Sequence, residues 1–144
     1  MTLVFLDSNV LVYAVDPRDK RKMRVAKDIV SSALRGYRKC AISVQTLTEF
    51  VNVAIKKLKK PVDEINDFLN AYMGLQTICL DPTMVPRGFE IKERYDIQFY
   101  DAMMIAAAER AGATEIYTED LNDGQFYCNI KAVNPFKDAD ASSS

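Results

Sequence analysis

The chain has 144 residues, of which 49% are hydrophobic and 27% charged, and this composition excludes a disordered or fibrous protein. Its formal net charge of −1 differs from the strongly basic balance of many nucleic-acid-binding proteins. No histidine is present, so Ser-His-Asp and Cys-His triads and His-ligated zinc or haem sites are excluded, and carboxylates become the main candidates for chemistry.

Short apolar runs alternate with helical segments along the chain, which predicts an α/β domain with a largely parallel sheet of about five strands. The predicted strands are residues 3–6, 40–43, 77–80, 115–118 and 130–133. The predicted helices are residues 20–34, 44–59, 61–73, 83–95 and 99–111. Pro61 is expected at the first position of its helix. We assign residues 1–136 to one domain and residues 137–144 to a disordered polar tail.

The cysteines and the N-terminal residues indicate the cellular compartment. Cys40, Cys79 and Cys128 are widely spaced, which predicts buried thiols in a reducing compartment. The N-terminus lacks the basic start of a signal peptide, and no apolar run is long enough to cross a membrane. We therefore expect a cytoplasmic protein that does not contact a membrane.

Carboxylates occur where the predicted topology gathers side chains. Asp7 directly follows the first strand and Asp120 follows the fourth, and open α/β sheets bind ligands at the carboxyl ends of their strands. Asp101 lies in the first turn of an apolar helix, where an unpartnered charge is costly. Each has a structural alternative. Asp7 suits a helix cap, Asp101 a first-turn acid favoured by the helix dipole, and Asp120 an organiser of the 121–124 turn.

Glu49 is placed less clearly by its spacing. The apolar side chains of the predicted helix 44–59 share one face, and Glu49 points nearly opposite to that face. Periodicity alone therefore predicts a solvated glutamate.

These acidic residues lie in segments that resemble the motifs of the PIN-domain nucleases. The segments are, in chain order, Phe5–Leu11, Ser43–Phe50, Tyr100–Ala108, Tyr117–Leu121 and Val133–Phe136. Their order and spacing match over residues 1–136, and the chain is similar in size to the VapC-like toxins of bacterial toxin–antitoxin pairs. The resemblance implies a three-layer α/β/α fold and a metal-dependent ribonuclease.

The resemblance also implies a function for each acidic residue. Asp7, Glu49, Asp101 and Asp120 are expected to form a catalytic pocket that binds Mg²⁺ or Mn²⁺. We expect Asp7 and Asp101 to be direct ligands, and Asp120 and Glu49 to bind a second ion or water or to orient the nucleophile. Hard divalent cations prefer such oxygen ligands.

Supporting residues and partners follow from the same resemblance. Ser8, Asn9 and Thr118 are expected to hydrogen-bond the metal-binding carboxylates. The implied partners are an RNA substrate, a second copy of the chain in a homodimer, and a cognate antitoxin that occupies the pocket. Apart from the resemblance, Tyr13, Tyr95 and Phe99 are candidates for stacking on bases, with core packing as the favoured alternative.

Other functions remain open at this stage. A phosphatase of the haloacid-dehalogenase type needs a second aspartate after the first strand, where this chain has Asp7-Ser8-Asn9. A receiver domain needs a phospho-accepting aspartate after a middle strand, and neither Ser43 nor Leu80-Asp81 fits this requirement well. A catalytically silent binding module on the same fold is the third alternative.

Overall fold

A computed structural model describes residues 2–137 of the chain. The strands are β1 (Leu3–Leu6), β2 (Lys39–Ser43), β3 (Gln76–Ile78), β4 (Glu115–Tyr117), β5 (Phe126–Tyr127) and β6 (Ile130–Val133). They form a single sheet in the order β3-β2-β1-β4-β6-β5, in which only the β5–β6 pair is antiparallel. The α/β prediction is confirmed, and the short strand β5 makes the observed number six where about five were expected.

Five of the helices in residues 2–137 begin and end within three residues of their predicted positions, and the sixth, α1, was expected only as a short helix that Asp7 would cap. They are α1 (Ser8–Tyr13), α2 (Lys20–Leu34), α3 (Val44–Lys56), α4 (Val62–Tyr72), α5 (Met84–Tyr95) and α6 (Phe99–Ala111). The prediction for Pro61 is wrong by one position, because its ψ of 152° is extended and α4 therefore begins at the next residue. The Pro61 carbonyl nevertheless accepts the first helical hydrogen bond, from the Ile65 amide at 3.1 Å.

The sheet separates two apolar cores, because successive side chains of a strand point to opposite faces. In β1, Leu3 and Phe5 pack into the core formed with α5 and α6. Val4 and Leu6 pack into the core formed with α1, α2, α3 and α4. Both faces of β1 are thus covered, which explains why its sequence is continuously apolar.

Helix α6 is buried along most of its length, from Ala102 to Ala108. It packs against α5, where Gly88 interrupts an otherwise ordinary helical sequence. A Cβ atom at Gly88 would collide with the Met103 side chain, so the glycine permits the close approach of the two helices. This packing fixes the N-terminal turn of α6, which contains Asp101.

The cysteine prediction is only partly correct. Cys40 is buried, and burial raises the pKa of its thiol to about 11. Cys128 is half-buried and Cys79 is exposed, because it lies beyond the end of the short strand β3. Within residues 2–137, no helix has the length and apolar character that a membrane span requires. The predicted polar tail lies outside the described residues, apart from Lys137.

Candidate active site

The candidate site lies at the carboxyl ends of β1 and β4, which are adjacent and parallel. Asp7 follows β1 directly, and its amide donates to the Tyr117 carbonyl at 3.0 Å, which extends the pairing of the two strands. Thr118 and Asp120 follow β4 in the same loop. Strand pairing therefore brings residues more than a hundred positions apart in the sequence to one edge of the sheet.

Asp7 is the buried centre of this group, with 6% of its surface exposed. Its Oδ1 accepts from the Ser8 amide at 2.6 Å and from the Ser8 hydroxyl at 3.3 Å. Its Oδ2 accepts from the Thr118 hydroxyl at 2.7 Å and from Asn9 Nδ2 at 3.2 Å. Asp7 is thus the N-cap of α1, as the structural alternative proposed, and also lies among the other candidate site residues.

Glu49 reaches the site from α3. The Ser8 hydroxyl donates to Glu49 Oε2 at 2.8 Å, so Ser8 connects Glu49 to Asp7. Gln45, one turn earlier on α3, donates to Glu49 Oε1 at 3.0 Å and to the Tyr100 carbonyl at 3.3 Å. Glu49 is half-buried and hydrogen-bonded, so the prediction of a solvated side chain is wrong. The buried face of α3 consists of Thr46, Phe50 and Ala54. Ile55 of the predicted apolar stripe is exposed, so Glu49 lies beside the buried face and not opposite it.

Asp120 and Asp101 complete the acidic group on its more open side. Asp120 is exposed and accepts from Asn9 Nδ2 at 3.4 Å, and Asp101 is half-buried in the first turn of α6. Both line a cavity of about 620 Å³. The turn after Asp120 is held by Asp123, which accepts from the Asn134 amide at 2.8 Å and from Lys137 Nζ at 3.2 Å.

Burial and mutual repulsion dominate the electrostatics. Burial raises the pKa of Asp7 to about 7, and the charges of Asp120 and Glu49 add to this effect against the opposing Thr118 hydrogen bond. Burial also raises the pKa of Asp101, again with contributions from Asp120 and Glu49. Among the described residues, no lysine or arginine forms an ion pair with these four carboxylates. The site therefore holds uncompensated negative charge.

The donor chemistry of the site fits a hard divalent cation, since the available ligands are oxygen atoms. The Oδ1 atom of Asn9 is buried and has no hydrogen-bond partner in the structure, which a ligand at the site would provide. As they stand, however, no three acidic or cysteine side chains within residues 2–137 are grouped closely enough to hold a metal ion. The site therefore has the oxygen ligands that a divalent cation prefers, but in this structure they are too widely spaced to surround one.

Several polar residues near the site were not predicted from the sequence. Gln45 contacts Glu49 from the preceding turn, and its position four residues earlier was the available signal. Gln98, Asn122 and Gln125 line the cavity beside Asp101 and Asp120. They come from separate segments, so spacing along the chain does not group them.

Glu119, for which the sequence indicated no role, ties the β4 loop to two helices. It accepts from the Tyr13 hydroxyl of α1 at 2.6 Å and from Lys22 of α2 at 3.0 Å. Lys22 also lies over the Tyr13 ring, 4.8 Å from its centroid, and the Tyr13 ring packs edge-on against Phe136. Tyr13 is therefore a packing residue. The cluster fixes the loop between Thr118 and Asp120.

The family follows from comparison with known proteins. Residues 4–126 match the family model described as the PIN domain. The chain therefore belongs to the PIN-domain family. No curated protein matches the sequence significantly.

Solved structures share this fold at low sequence identity. A toxin–antitoxin complex from Klebsiella pneumoniae is 23% identical, with a TM-score of 0.67 over 92% of this chain and 97% of that one. VapC20 of Mycobacterium tuberculosis, described as a toxin that cleaves the sarcin-ricin loop, is 16% identical, with a TM-score of 0.66 over 89% and 98%. DNA-bound VapBC from Salmonella typhimurium is 18% identical, with a TM-score of 0.66 over 94% and 99%. These likenesses establish the fold.

Proposed function

We propose that this PIN domain is a metal-dependent endoribonuclease, the toxin of a toxin–antitoxin pair that acts in the cytoplasm. The observation that carries the proposal is the buried carboxylate of Asp7, which lies beside Asp120 and Glu49 without a cationic partner among the described residues. An uncompensated buried charge is costly unless a ligand offsets it. A divalent cation offsets it and binds oxygen ligands.

In this proposal the four carboxylates have two different functions. Asp7 and Asp101 are the direct ligands of Mg²⁺ or Mn²⁺, and Asp120 and Glu49 hold a second ion or water or orient the nucleophile. A bound cation lowers the pKa of a coordinated water and neutralises charge on the phosphodiester. Asn9 cannot act as a general acid, because a carboxamide N–H is too weakly acidic to protonate a leaving group. Its amide nitrogen instead donates hydrogen bonds to Asp7 and Asp120. This disfavours the haloacid-dehalogenase alternative.

The supporting residues keep the carboxylates oriented. The Thr118 hydroxyl donates to Asp7 and accepts from the Asp120 amide at 3.0 Å, so it couples the two acidic positions. Ser8 links Asp7 to Glu49 differently, since its amide donates to Asp7 Oδ1 and its single hydroxyl hydrogen is directed to Glu49 Oε2 at the shorter distance of 2.8 Å. Fixed orientation of this kind sustains metal affinity and activity in carboxylate sites.

The proposed partners are RNA, a second copy of the chain and an antitoxin. A toxin–antitoxin complex is among the structural neighbours, and VapC20 is described as a toxin that cleaves the sarcin-ricin loop. The shared fold, together with the acidic edge of this chain, supports an RNA substrate here. We expect hydrolysis to leave a 5′-phosphate and a 3′-hydroxyl, since attack by water does not require the RNA 2′-hydroxyl.

The test is cleavage of single-stranded RNA by the purified chain with Mg²⁺, with Mn²⁺ and with a chelator. We expect cleavage with either metal, none with the chelator, and a loss of at least about a hundredfold in Asp7→Asn. Asp63→Asn is the matched control, since Asp63 is exposed on α4. Cleavage by a folded Asp7→Asn protein at the wild-type rate would contradict the proposal.

A catalytically silent binding module is the second candidate. The open arrangement of the carboxylates, of which no three within residues 2–137 are close enough to hold an ion, favours it. Metal-dependent RNA binding without cleavage, by a protein that retains all four carboxylates, is the result that would support it over the nuclease.

A further inference from the structure

The cavity beside the carboxylates is larger than a metal site requires. It encloses about 620 Å³, within the range of about 300–1,000 Å³ found for small-molecule sites. One wall is the 95–98 junction between α5 and α6, and the other is the segment of residues 121–127 after β4. Asp101 and Asp120 lie on its lining, so the cavity is continuous with the acidic site.

A third carboxylate, Asp96, lies on the lining beside Gln98, and the remaining residues are neutral and include three side-chain amides. Asn122 Nδ2 donates to Gln125 Oε1 at 2.8 Å, which leaves Gln125 Nε2 and Asn122 Oδ1 available to a ligand. Gln98 occupies the N-cap position of α6 but makes no side-chain capping bond, so the helix does not use its amide. The cavity thus offers hydrogen-bond donors and acceptors without formal charge.

The wall that carries these amides is held in place. The Tyr127 hydroxyl accepts from the Asn122 amide at 3.3 Å, and the Tyr95 hydroxyl accepts from the Cys128 amide at 2.9 Å. The rings of Tyr95 and Tyr127 pack edge-on, 5.0 Å apart. The Gln125 carbonyl accepts from the Ala132 amide of β6 at 2.9 Å. Polar groups fixed before the ligand arrives discriminate between ligands better than mobile ones.

We infer that this cavity binds the base of one unpaired nucleotide of the RNA, next to the phosphodiester at the carboxylates, and selects it through Gln98 and Gln125. The inference rests on the proposed function, because it names the substrate contact of the same site. Proteins recognise RNA sequence mainly through unpaired bases that are splayed out and hydrogen-bonded along their edges. An amide presents a donor and an acceptor side by side, as the edge of a base does.

Charge also favours a base over a phosphate in this cavity. Phosphate oxygens near Asp101 and Asp120 meet repulsion unless a cation lies between them. A nucleobase is uncharged and meets no such repulsion. With the proposed cation between them, the phosphate lies toward the carboxylates, and the uncharged base lies toward the amides.

The first test compares the cleavage of short single-stranded RNAs that differ only in the bases flanking the cleaved bond. We expect the wild type to favour one base at one of these positions. Gln98→Ala and Gln125→Ala should each reduce the ratio of kcat/KM between the best and the worst base by roughly two- to tenfold, as expected for one lost hydrogen bond. Gln76→Ala, on the exposed start of β3, should leave this ratio unchanged.

A second test uses the wild-type chain and does not depend on cleavage. The side-chain amide resonances of Gln98 and Gln125 should shift on titration with one of the four nucleoside 5′-monophosphates more than with the others, and the Gln76 resonance should not. RNA cleavage with unchanged base ratios in both variants would overturn the inference and leave the nuclease intact. Base-dependent shifts in a protein that cleaves no RNA would support the base site and contradict the nuclease.

Discussion

Carboxylates at the two ends of α6 lie in opposite electrostatic environments. At its C-terminal end, Arg87 donates to both oxygens of Glu109 at 2.9 Å, and Arg110 contacts Asp81 at 2.7 Å. The Arg87 hydrogen bonds lower the pKa of Glu109, and the Thr83 hydroxyl and Arg110 lower the pKa of Asp81 to about 2. At its N-terminal end, burial and neighbouring carboxylates raise the pKa of Asp101.

The difference between the two ends comes from where the basic residues lie and not from a shortage of them. The chain has 19 lysine and arginine residues against 20 aspartate and glutamate residues, enough to pair nearly every carboxylate. Ion pairs form around α5 and α6, on other parts of the surface, and also at Glu119 and Asp123 on either side of Asp120. Within residues 2–137, Asp7, Asp101 and Asp120 themselves receive only neutral donors or none. Perturbed carboxylates of this kind are typical of functional sites, and the cation proposed above would compensate their charge.

The pH dependence of stability is the largest expected consequence. The pKa of Asp7 is about 7 in the folded chain against an ordinary 3.8, so the folded state retains a proton that the unfolded chain has released. Its contribution to stability is complete below about pH 4 and is lost as the pH rises through about 7. In the cation-free protein, Asp7→Asn should become more stable relative to the wild type by on the order of 4 kcal/mol between pH 4 and pH 8.

Urea unfolding of both proteins at a series of pH values measures this difference. Asp63→Asn should follow the wild type throughout, because Asp63 is exposed. Added Mg²⁺ should restore part of the lost stability to the wild type and none to Asp7→Asn. Parallel pH profiles for the wild type and Asp7→Asn would mean that Asp7 ionises normally, and the comparison between the two ends of α6 would lose its basis.

The next largest effect should come from a substitution that places a basic side chain beside Glu49. Gln45→Arg would give Glu49 a partner of the kind that Glu109 has, because Gln45 Nε2 already lies 3.0 Å from Glu49 Oε1. We expect weaker Mg²⁺ dependence and cleavage reduced by about 10- to 100-fold, with greater stability at pH 7.

Rates measured over a range of Mg²⁺ concentrations test this substitution. Gln76→Arg adds the same charge away from the site, and Gln45→Leu removes the hydrogen bond without adding charge. If Gln45→Arg cleaves RNA at the wild-type rate, then cleavage does not depend on a Glu49 charge that is free of a basic partner.

The sequence predicted the parts of the molecule that depend on local patterns. Continuous apolar runs identified β1 and α6, and the position of Asp7 after β1 followed from the topology of parallel sheets. Glu49 was placed by resemblance alone, since periodicity predicted an apolar stripe on the other side of α3, whereas the buried face is formed by Thr46, Phe50 and Ala54. Strand β5 has two residues, too few for an alternating pattern.

The cavity beside the carboxylates was beyond sequence reasoning for a different reason. Its walls come from the α5–α6 junction and the segment before β6, which are joined by the packing of Tyr95 on Tyr127 and by the hydrogen bond from the Cys128 amide to the Tyr95 hydroxyl. No spacing along the chain encodes that contact. Gln98 and Gln125 are likewise ordinary surface residues until the fold places them on one lining.

The smallest expected effect comes from the C-terminal end of α6, where the carboxylates are paired. The loss of stability there should depend on a carboxylate whose pKa is lowered, whereas the effect at Asp7 depends on one whose pKa is raised. Arg87→Met removes the partner of Glu109, but both side chains are more than a third exposed, so screening limits the cost to about 0.5–1 kcal/mol. Because the pKa of Glu109 is lowered, the pair contributes above the ordinary pKa of 4.5 and its contribution is lost as the pH falls through the lower folded value. The difference in stability between Arg87→Met and the wild type should therefore be present at pH 7, shrink toward pH 3 and decrease with added salt. The difference between Asp7→Asn and the wild type grows with pH instead.

Arg21→Met, on the exposed face of α2, is the matched control in urea unfolding, and RNA cleavage should be unchanged in both variants. A loss of cleavage in Arg87→Met would mean that the two ends of α6 are coupled, and pairing at one end would then be part of the active site at the other.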